Sequence, residues 1–354
     1  MLKIILPITA LLFQTAFAEE SSSSAKRLAL EMKENADSEK KLSAIDVNSS
    51  ELVFKRLNGS TLTNWKISQN GVNLASLKCT EGINSHKAAF AAYNLGKALN
   101  FNIYPVTVTK MVDRVVINND QGNTYKVKAE CVLKKWYKEI AFYKWEPEEL
   151  MQSADPSKNE LVKGLNCSVP KNFPKDYTFI STAKGQIRGN SEFEAVLRDF
   201  SNMLVVDMLI GNEDRFPPHH KQGGNVFFRS TTETSRDDAQ NPGWKDFDSA
   251  RFFSLDNDYA FVNSQSPSHH DFFKYVKRFD RAFIKQLAEL QKKLQASVQK
   301  NSVATDFKYL NFEITLKDGK KKMSAAAYVL DNINQVLKRV SELATECVDE
   351  ELYL

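Results

Sequence analysis

Three oxygen-bearing side chains are spaced so that they could meet at a metal-bound nucleotide. Asp214 lies in the segment Gly-Asn-Glu-Asp-Arg, Asn225 follows a pair of glycines, and Asp256 lies in the segment Leu-Asp-Asn. Mg²⁺ takes carboxylate and amide oxygens together with phosphate oxygens and water. Phosphoryl transfer also needs a carboxylate that orients the proton of the attacking hydroxyl. The three segments therefore predict a magnesium–nucleotide site, provided that the fold brings them together.

The order of these segments resembles the catalytic and metal-binding loops of atypical protein kinases. The resemblance covers about residues 50–275 and extends to actin-fragmin kinase, phosphatidylinositol 3- and 4-kinases, HipA-type kinases and secretory-pathway kinases. Asn225 lies eleven residues beyond Asp214, with Phe-Pro-Pro between them at 216–218. This spacing is most similar to the actin-fragmin kinase catalytic domain. The segment Leu-Asp-Asn at 255–257 is similar to the metal motif of the secretory kinases.

The resemblance implies a role for each of the three residues. Asp214 would be the catalytic residue that orients the acceptor hydroxyl, and Asn225 and Asp256 would hold Mg²⁺ or Mn²⁺ together with ATP. In such kinases the protein mainly positions the reactants and neutralises charge. The implied reaction is transfer of the γ-phosphate of ATP to a hydroxyl of a protein substrate.

The N-terminal half of the chain carries a second part of the resemblance. Gly59, Ser60 and Thr61 lie between two predicted strands, where a kinase places the loop that covers the phosphates. Glycine lets the backbone approach closely, and hydroxyls and amides can face phosphate oxygens. A plain hairpin turn is the alternative for this segment. Lys78 matches the strand lysine that holds the nucleotide phosphates.

The expected acidic partner of Lys78 is missing from the next predicted helix. Kinases pair this lysine with a glutamate of that helix, but residues 87–99 include no Asp or Glu. Glu81, just before the helix, is the residue that could substitute. The departure keeps a catalytically inactive, nucleotide-binding pseudokinase as an alternative.

Hydrophobic patterning predicts the elements that must position these residues. Short apolar or alternating runs, separated by Asn-Gly turns, predict a small antiparallel sheet over 52–135 with one inserted helix at 87–99. A Ser-x-x-Glu capping box at Ser191 predicts the start of a long helix, which ends at Gly211. Short strands are expected at 226–228 and 252–255.

These patterns predict an α+β chain of two lobes, and the resemblance implies that the lobes are arranged as in protein kinases. Residues 51–140 are expected to form a small antiparallel β N-terminal lobe with one helix. Residues 141–354 are expected to form a larger, mainly α C-terminal lobe. That lobe ends in a helical extension, because residues 279–297 and 324–344 repeat apolar side chains at helical spacing.

The N-terminal residues are typical of a secretory signal. Lys3 is followed by a largely apolar run at 4–13 and by Ala-Phe-Ala at 16–18. This run is too short to cross a membrane, which takes about 20 residues of helix. Residues 1–18 are therefore predicted to be a removed signal peptide, and residues 19–50 a flexible or loosely helical lead-in. The mature chain is expected to be exported to a periplasm, a secretory lumen or the extracellular space.

Composition narrows the class of partner. The 354 residues include 48 Lys and Arg against 44 Asp and Glu, a net charge of +4 with both signs intermixed. No concentrated basic surface for nucleic acid is indicated, and no stable membrane span is expected.

The chain has four cysteines, which leave three full disulfide pairings open in an oxidising compartment: Cys79, Cys131, Cys167 and Cys347.

The sequence therefore predicts an exported atypical kinase that uses ATP with Mg²⁺ or Mn²⁺ and modifies a protein. Three alternatives stay open. They are a catalytically inactive pseudokinase that regulates a partner, a nucleotidyl transferase on the same fold, and a lipid kinase.

Overall fold

The fold is known from a computed structural model of the chain. It describes residues 29–57, 63–79, 85–117, 124–137, 140–142, 160–168, 175–181, 186–212, 226–230, 236–237, 244–247, 250–255, 260–261, 276–316 and 322–354. Within these ranges, every helix is too short or too polar to cross a bilayer.

A five-stranded antiparallel sheet forms the N-terminal part of the fold. Its strands run in the order β1-β2-β3-β5-β4: β1 Val53–Arg56, β2 Thr63–Gln69, β3 Val72–Cys79, β4 Thr107–Ile117 and β5 Thr124–Lys135. Helix α2, Ser85–Ala98, connects β3 to β4 and packs on β4 and β5. The predicted antiparallel sheet with one inserted helix is confirmed.

The register of the sheet follows from its apolar pattern. Leu77 lies opposite Trp65 on β2 and Leu133 on β5, and all three side chains are fully buried. Because side chains alternate between the two faces of a strand, this register places every second residue of β3 in the core. Asn70 and Gly71 form the tight turn between β2 and β3, both with positive φ, as the Asn-Gly dipeptide predicts.

Helices dominate the C-terminal part of the fold. Their bounds are α3 Glu160–Gly164, α4 Phe193–Ile210, α5 Arg281–Gln299, α6 Val303–Asp306, α7 Ala325–Glu346 and α8 Asp349–Leu352, with a short 3₁₀ helix at Lys308–Leu310. Helix α7 contacts both α4 and α5. Helix α4 is buried along nearly its whole length, because it lies at the centre of this part. The α+β class predicted from the sequence is confirmed.

Three smaller sheets accompany these helices. One has the order β12-β9-β6, the second β10-β11-β8-β7, and the third is the pair β13-β14. Their strands are β6 Ala141–Phe142, β7 Asp176–Ser181, β8 Gln186–Glu192, β9 Val226–Ser230, β10 Arg236–Asp237, β11 Trp244–Phe247, β12 Ala250–Ser254, β13 Glu313–Thr315 and β14 Lys322–Ser324.

The start of α4 differs from the sequence prediction. Ser191 is not the N-cap, because it belongs to β8 and pairs with Tyr177 on β7. The helix begins at Phe193, and Glu192 at its N-cap makes no side-chain capping bond. The predicted capping box is therefore wrong, since the pairing of β8 with β7 extends the strand through the residues that would have formed it.

The segment predicted to be a lead-in contains an ordered helix. Residues 29–44, here named α1, are helical, and Leu42 is buried in the core. The loop after α1 lies along the edge strand β4, where the backbone N–H of Asp113 donates to Asn48 Oδ1 at 2.9 Å and Arg114 donates to the carbonyls of Val47 and Ser49. The structure thus has an ordered, packed helix at 29–44, where the sequence predicted a flexible or loosely helical lead-in.

Two disulfides select one of the three pairings that the sequence left open. Cys79 is bonded to Cys131, and Cys167 is bonded to Cys347, with sequence separations of 52 and 180 residues. In the chain-entropy account, cross-links of this length raise the free energy of the unfolded chain by roughly 4 and 5 kcal/mol, because they lower its conformational entropy. The first ties β3 to β5, and the second ties the end of α7 to the segment after α3.

Candidate functional site

The C-terminus of helix α4 is fixed by hydrogen bonds just before the segment that carries Asp214. Gly211 has a φ of +60°, and the N–H groups of Gly211 and Asn212 donate to the carbonyls of Met208 and Asp207, which is the Schellman arrangement. The buried Asn212 side chain also donates to Asp207 Oδ1 at 2.9 Å. Asp207 thus holds the first residue after Gly211 in place through both its carbonyl and its side chain.

A side chain of helix α7 also caps the C-terminus of α4. The Nδ2 group of Asn332 donates to the carbonyls of Met208 and Leu209, at 3.1 and 3.3 Å. The last carbonyls of a helix have no intrahelical partner, so this amide stabilises a terminus that is buried. The position where the chain leaves α4 is thereby fixed.

Strands β9 and β12 leave their sheet side by side. Val226, the first residue of β9, is paired with Ser254, the last residue of β12. Both are fully buried. The backbone N–H of Ser254 also donates to Ile103 O at 2.9 Å, in the connection between α2 and β4. The end of β12 is therefore anchored both to its own sheet and to the N-terminal part of the fold.

A hydrogen bond joins the segment after β12 to the end of α4. The N–H of Phe261 donates to Ile210 O at 2.7 Å. Phe261 has a φ of +65° and packs edge-on against Phe312 and Tyr328. A left-handed backbone at a phenylalanine costs about 1–3 kcal/mol, and such strain persists only where the surrounding structure fixes it. The buried aromatic contacts supply that constraint.

Most of the predicted site residues lie outside the described residues. They are Asp214, Asn225, Asp256, Gly59, Ser60, Thr61 and Glu81. Among the residues that the structure does describe, no group of three or more His, Cys, Asp or Glu could hold a metal ion. What the structure gives is the position of the flanking residues: Val226 and Ser254 lie opposite each other at one edge of the β9–β12 pair, and Asn212 lies at the end of α4.

Lys78 is the predicted site residue that the structure describes. It lies on β3 opposite Val132 of β5, on the other face from Leu77, and only 2% of it is exposed. Lysine is almost never fully buried unless its charge is compensated. The disulfide between Cys79 and Cys131 follows directly on this residue pair and holds the two strands in register.

One end of α2 contacts an acidic residue that the sequence analysis missed. His86 Nε2 lies 3.9 Å from Glu130 Oε2, and Glu130 is on the same face of the sheet as Lys78, two residues from Val132. Burial lowers the pKa of His86, and neighbouring Lys87 adds to this, although Glu130 raises it. The absence of acidic residues within α2 itself is plain in its sequence. The alternation of side chains along β5 shows that Glu130 and Val132 share a face of that strand. Only the pairing of β5 with β3 shows that this is also the face of Lys78.

Gly211 is expected to tolerate substitution less well than Gly71. Both have positive φ, but a Cβ on Gly71 would meet no atom within 4 Å, whereas one on Gly211 would overlap the Tyr328 hydroxyl. Gly71→Ala should cost about 1–2 kcal/mol of unfolding free energy for the left-handed backbone. Gly211→Ala should cost about 1–3 kcal/mol more, because the site is overpacked.

Urea denaturation of the two variants checks this difference. Adding Tyr328→Phe to Gly211→Ala removes the nearest atom, the hydroxyl oxygen, and should restore part of the loss. Equal losses for Gly71→Ala and Gly211→Ala would contradict the described packing of Tyr328 on the loop base.

Comparison with known proteins finds similar solved structures of low sequence identity. The sequence matches no protein-family model and no curated protein. Similar solved structures include a Golgi casein kinase, with 13% identity over 86% of this chain and 76% of the other and a TM-score of 0.49. Fam20 from hydra, solved with a sugar, has 12% identity over 90% and 98% of the two chains and a TM-score of 0.48.

A third similar structure is the Helicobacter pylori proinflammatory kinase CtkA, with 12% identity over 87% and 91% of the two chains and a TM-score of 0.32. Identities and scores at this level carry neither an activity nor a substrate over to this chain. The predicted closeness to actin-fragmin kinase stays a prediction.

Proposed function

We propose that the chain is an ATP-dependent phosphotransferase of the atypical kinase type, acting on a hydroxyl group of a protein. The observation that supports this most is how the residues next to the three motifs are held. The pairing of Val226 with Ser254 puts the start of β9 and the end of β12 at one edge, and the hydrogen bond from Phe261 to Ile210 joins the chain after Asp256 to the end of α4.

Chain connectivity limits how far the proposed site residues lie from these anchors. Asn225 is covalently bonded to Val226, Asp256 is two residues beyond Ser254, and Asp214 is two residues beyond Asn212. An extended chain spans at most about 3.6 Å per residue, so each Cα lies within about 8 Å of its anchor. Asn225 and Asp256 thus both extend from the paired edge of β9 and β12, and the proposal requires Asp214 to reach the ion that they hold.

The chemistry of this donor set fits a magnesium–nucleotide complex. Asn225 and Asp256 would hold Mg²⁺ or Mn²⁺ through an amide and a carboxylate oxygen, and the ion would neutralise charge on the ATP phosphates. Asp214 would accept a hydrogen bond from the acceptor hydroxyl and so orient its oxygen toward the γ-phosphorus. Lys78 would steady the phosphates from β3, with Gly59, Ser60 and Thr61 covering them and Glu81 near the lysine.

A pseudokinase is the second candidate, because α2 offers Lys78 no carboxylate. The ion pair between this lysine and a helix glutamate is part of the active arrangement in protein kinases. A chain without it could bind a nucleotide and still transfer phosphate slowly or not at all. ATP binding without turnover would favour this candidate over the kinase.

The proposed function is tested by incubating the purified mature chain with labelled ATP and either Mg²⁺ or Mn²⁺. The chain itself and a mixture of extracellular proteins serve as acceptors. A kinase adds a phosphoryl group to a protein, a nucleotidyl transferase adds the larger nucleotidyl group, and a lipid kinase labels only added lipid. Mass spectrometry separates these outcomes, and an absence of both ATP binding and labelling would refute the proposal.

Export is part of the same proposal, and the two disulfides support it because disulfides persist in oxidising compartments. When the chain is produced with its own leader in a secreting host, the recovered protein should lack residues 1–18. Its intact mass should also be lower than that of the fully reduced chain by four hydrogens, two for each disulfide. Reduction should raise the mass by this amount. Intact-mass spectrometry measures both, and a chain retained in the cell with four free thiols would contradict export.

A further inference from the structure

We propose that helix α1 is a strap that sets the position of α2 relative to strand β12, and so positions the two parts of the site that the proposed function requires. The inference rests on that function for its meaning in catalysis. The contacts that carry it are independent of the function, because all of them lie in described residues.

One face of α1 carries the side chains that make the contacts on which this proposal rests. Glu31, Asn35, Glu39 and Leu42 are spaced by four, four and three residues, which places their side chains along one face of the helix. Glu31 and Glu39 are eight residues apart, or about 12 Å along the helix axis. The strap therefore spans enough distance to contact two separate elements.

The N-terminal end of the strap binds β12 through a three-member ionic cluster. Both carboxylate oxygens of Glu31 accept from Arg251 Nη1, at 3.1 and 3.0 Å. On its other side Arg251 donates from Nε to Asp199 Oδ2 of helix α4 at 2.8 Å. The side chains of Arg251, Asp199 and Glu31 are only 20%, 7% and 13% exposed. Solvent therefore screens this cluster much less than a surface ion pair.

Electrostatics favours the charged form of the central arginine. Burial alone would lower the pKa of Arg251, but Asp199 and then Glu31 outweigh it, so the pKa is raised. Removing one carboxylate from such a cluster leaves a buried charge partly uncompensated, which is destabilising. The contact between α1 and β12 therefore depends on the carboxylate of Glu31, which helps to compensate the charge of Arg251.

The middle of the strap contacts the connection between α2 and β4. Asn35 Nδ2 donates to Asn102 Oδ1 at 3.2 Å. The carbonyl of Asn102 in turn accepts from Arg229 Nη2 of strand β9 at 3.3 Å. Arg229 also lies over the rings of Tyr137 and Phe253, 5.7 and 5.5 Å from their centroids. The strap is therefore linked to the β9–β12 pair at a second point.

The C-terminal end of the strap binds α2. Glu39 Oε1 accepts from Tyr93 Oη at 2.6 Å and from Lys97 Nζ at 2.7 Å. Burial raises the pKa of Tyr93, and the bond to Glu39 raises it further, so the phenol stays protonated and keeps donating. Since α2 has no acidic residue of its own, Glu39 supplies a carboxylate that fixes the helix from outside the sheet.

These contacts join the two elements that flank the proposed nucleotide site. Arg251 is five residues before Asp256, and α2 follows the strand that carries Lys78. In protein kinases the position of this helix is set by its glutamate bound to the strand lysine. Here α1 is placed to do the positioning that the missing glutamate would do. Glu31 and Glu39 are accordingly positioning residues, and neither would touch the substrate.

The test compares Glu39→Ala and Glu31→Ala with Asp37→Ala, all in the full mature chain. Asp37 is an exposed carboxylate on the same helix, and alanine keeps helix propensity in all three. Hydrogen exchange of α2 should be about tenfold faster in Glu39→Ala, and exchange of β12 about tenfold faster in Glu31→Ala. Asp37→Ala should match the wild type, and α5 and α7 should be unchanged in all three variants.

Turnover and nucleotide affinity supply the second readout. If the strap positions the site, kcat should fall about tenfold in Glu39→Ala, with a smaller change in the Kd for Mg-ATP. Unchanged exchange in α2 and β12, or equal acceleration throughout the helices, would overturn the strap. Should Glu39→Ala fail to fold, Tyr93→Phe combined with Lys97→Met removes the same contacts from the α2 side and has the same expected results.

The two proposals fail in different ways. A wild-type chain that neither binds ATP nor transfers phosphate refutes the proposed function, while the exchange experiment still decides whether the strap holds α2 and β12. A wild-type chain that transfers phosphate, with normal exchange and turnover in both glutamate variants, refutes the strap alone.

Discussion

Asp214→Asn is expected to lower phosphate transfer by about 10²–10⁴-fold while leaving Mg-ATP binding within about threefold of the wild type, because positioned acid–base groups contribute rate factors of this size. The asparagine keeps the volume of the side chain but loses the charge that orients the acceptor hydroxyl. Single-turnover kinetics with labelled ATP measure the rate, and calorimetry measures the affinity.

Glu213→Gln is the matched control for this variant. It removes the neighbouring carboxylate of the same loop and should change the rate by less than a few-fold. Because the base of the loop is braced by Asp207 and Asn212, both variants should retain the wild-type unfolding free energy. A rate loss in Glu213→Gln with none in Asp214→Asn would assign the catalytic role to the other residue.

Asp256→Asn is expected to abolish metal-dependent nucleotide binding. A ligand present at about 100 times its Kd stabilises a folded protein by about 2.7 kcal/mol. Mg-ATP should therefore raise the melting temperature of the wild type and have no effect on Asp256→Asn. Thermal melts with and without Mg²⁺, ATP or both separate loss of the metal from loss of the nucleotide.

Asp258→Asn, two residues further along the same segment, is the control and should keep the stabilisation by Mg-ATP. The pair of predictions distinguishes the two roles, since Asp214→Asn should bind without transferring and Asp256→Asn should not bind. If both variants transferred phosphate at the wild-type rate, neither residue would belong to the site.

Elements with a strong local pattern could be predicted from the sequence. The Asn-Gly turn at 70–71, the apolar face of α2 and the amphipathic helices α5 and α7 each carry their signal within a few turns of chain. The hairpin β7–β8 and strands β10 and β11 were missed, because their residues are mixed in polarity and form strands only by pairing with one another. Ser191 shows the same effect, since strand pairing overrides a capping signal that was correct in form.

Contacts between distant residues had no signal in the sequence. Glu31 and Arg251 are 220 residues apart, and nothing local in either segment indicates the other. The pairing of Cys79 with Cys131 and the position of Glu130 on the same face of the sheet as Lys78 likewise depend on the strand order. At the proposed site, the motifs around Asp214, Asn225 and Asp256 could be recognised in the sequence, but the pairing of Val226 with Ser254 and the hydrogen bond from Phe261 to Ile210 could not.

The disulfide between Cys167 and Cys347 has a consequence for biosynthesis. Its second cysteine is 180 residues beyond the first. Ribosomes add about 5–20 residues per second, so Cys167 remains a thiol for about 9–36 s after its own synthesis. Cys79 meets its partner after only 52 residues. In an oxidising lumen the sheet can therefore be cross-linked first, while Cys167 stays open to oxidoreductases until Cys347 has been synthesised.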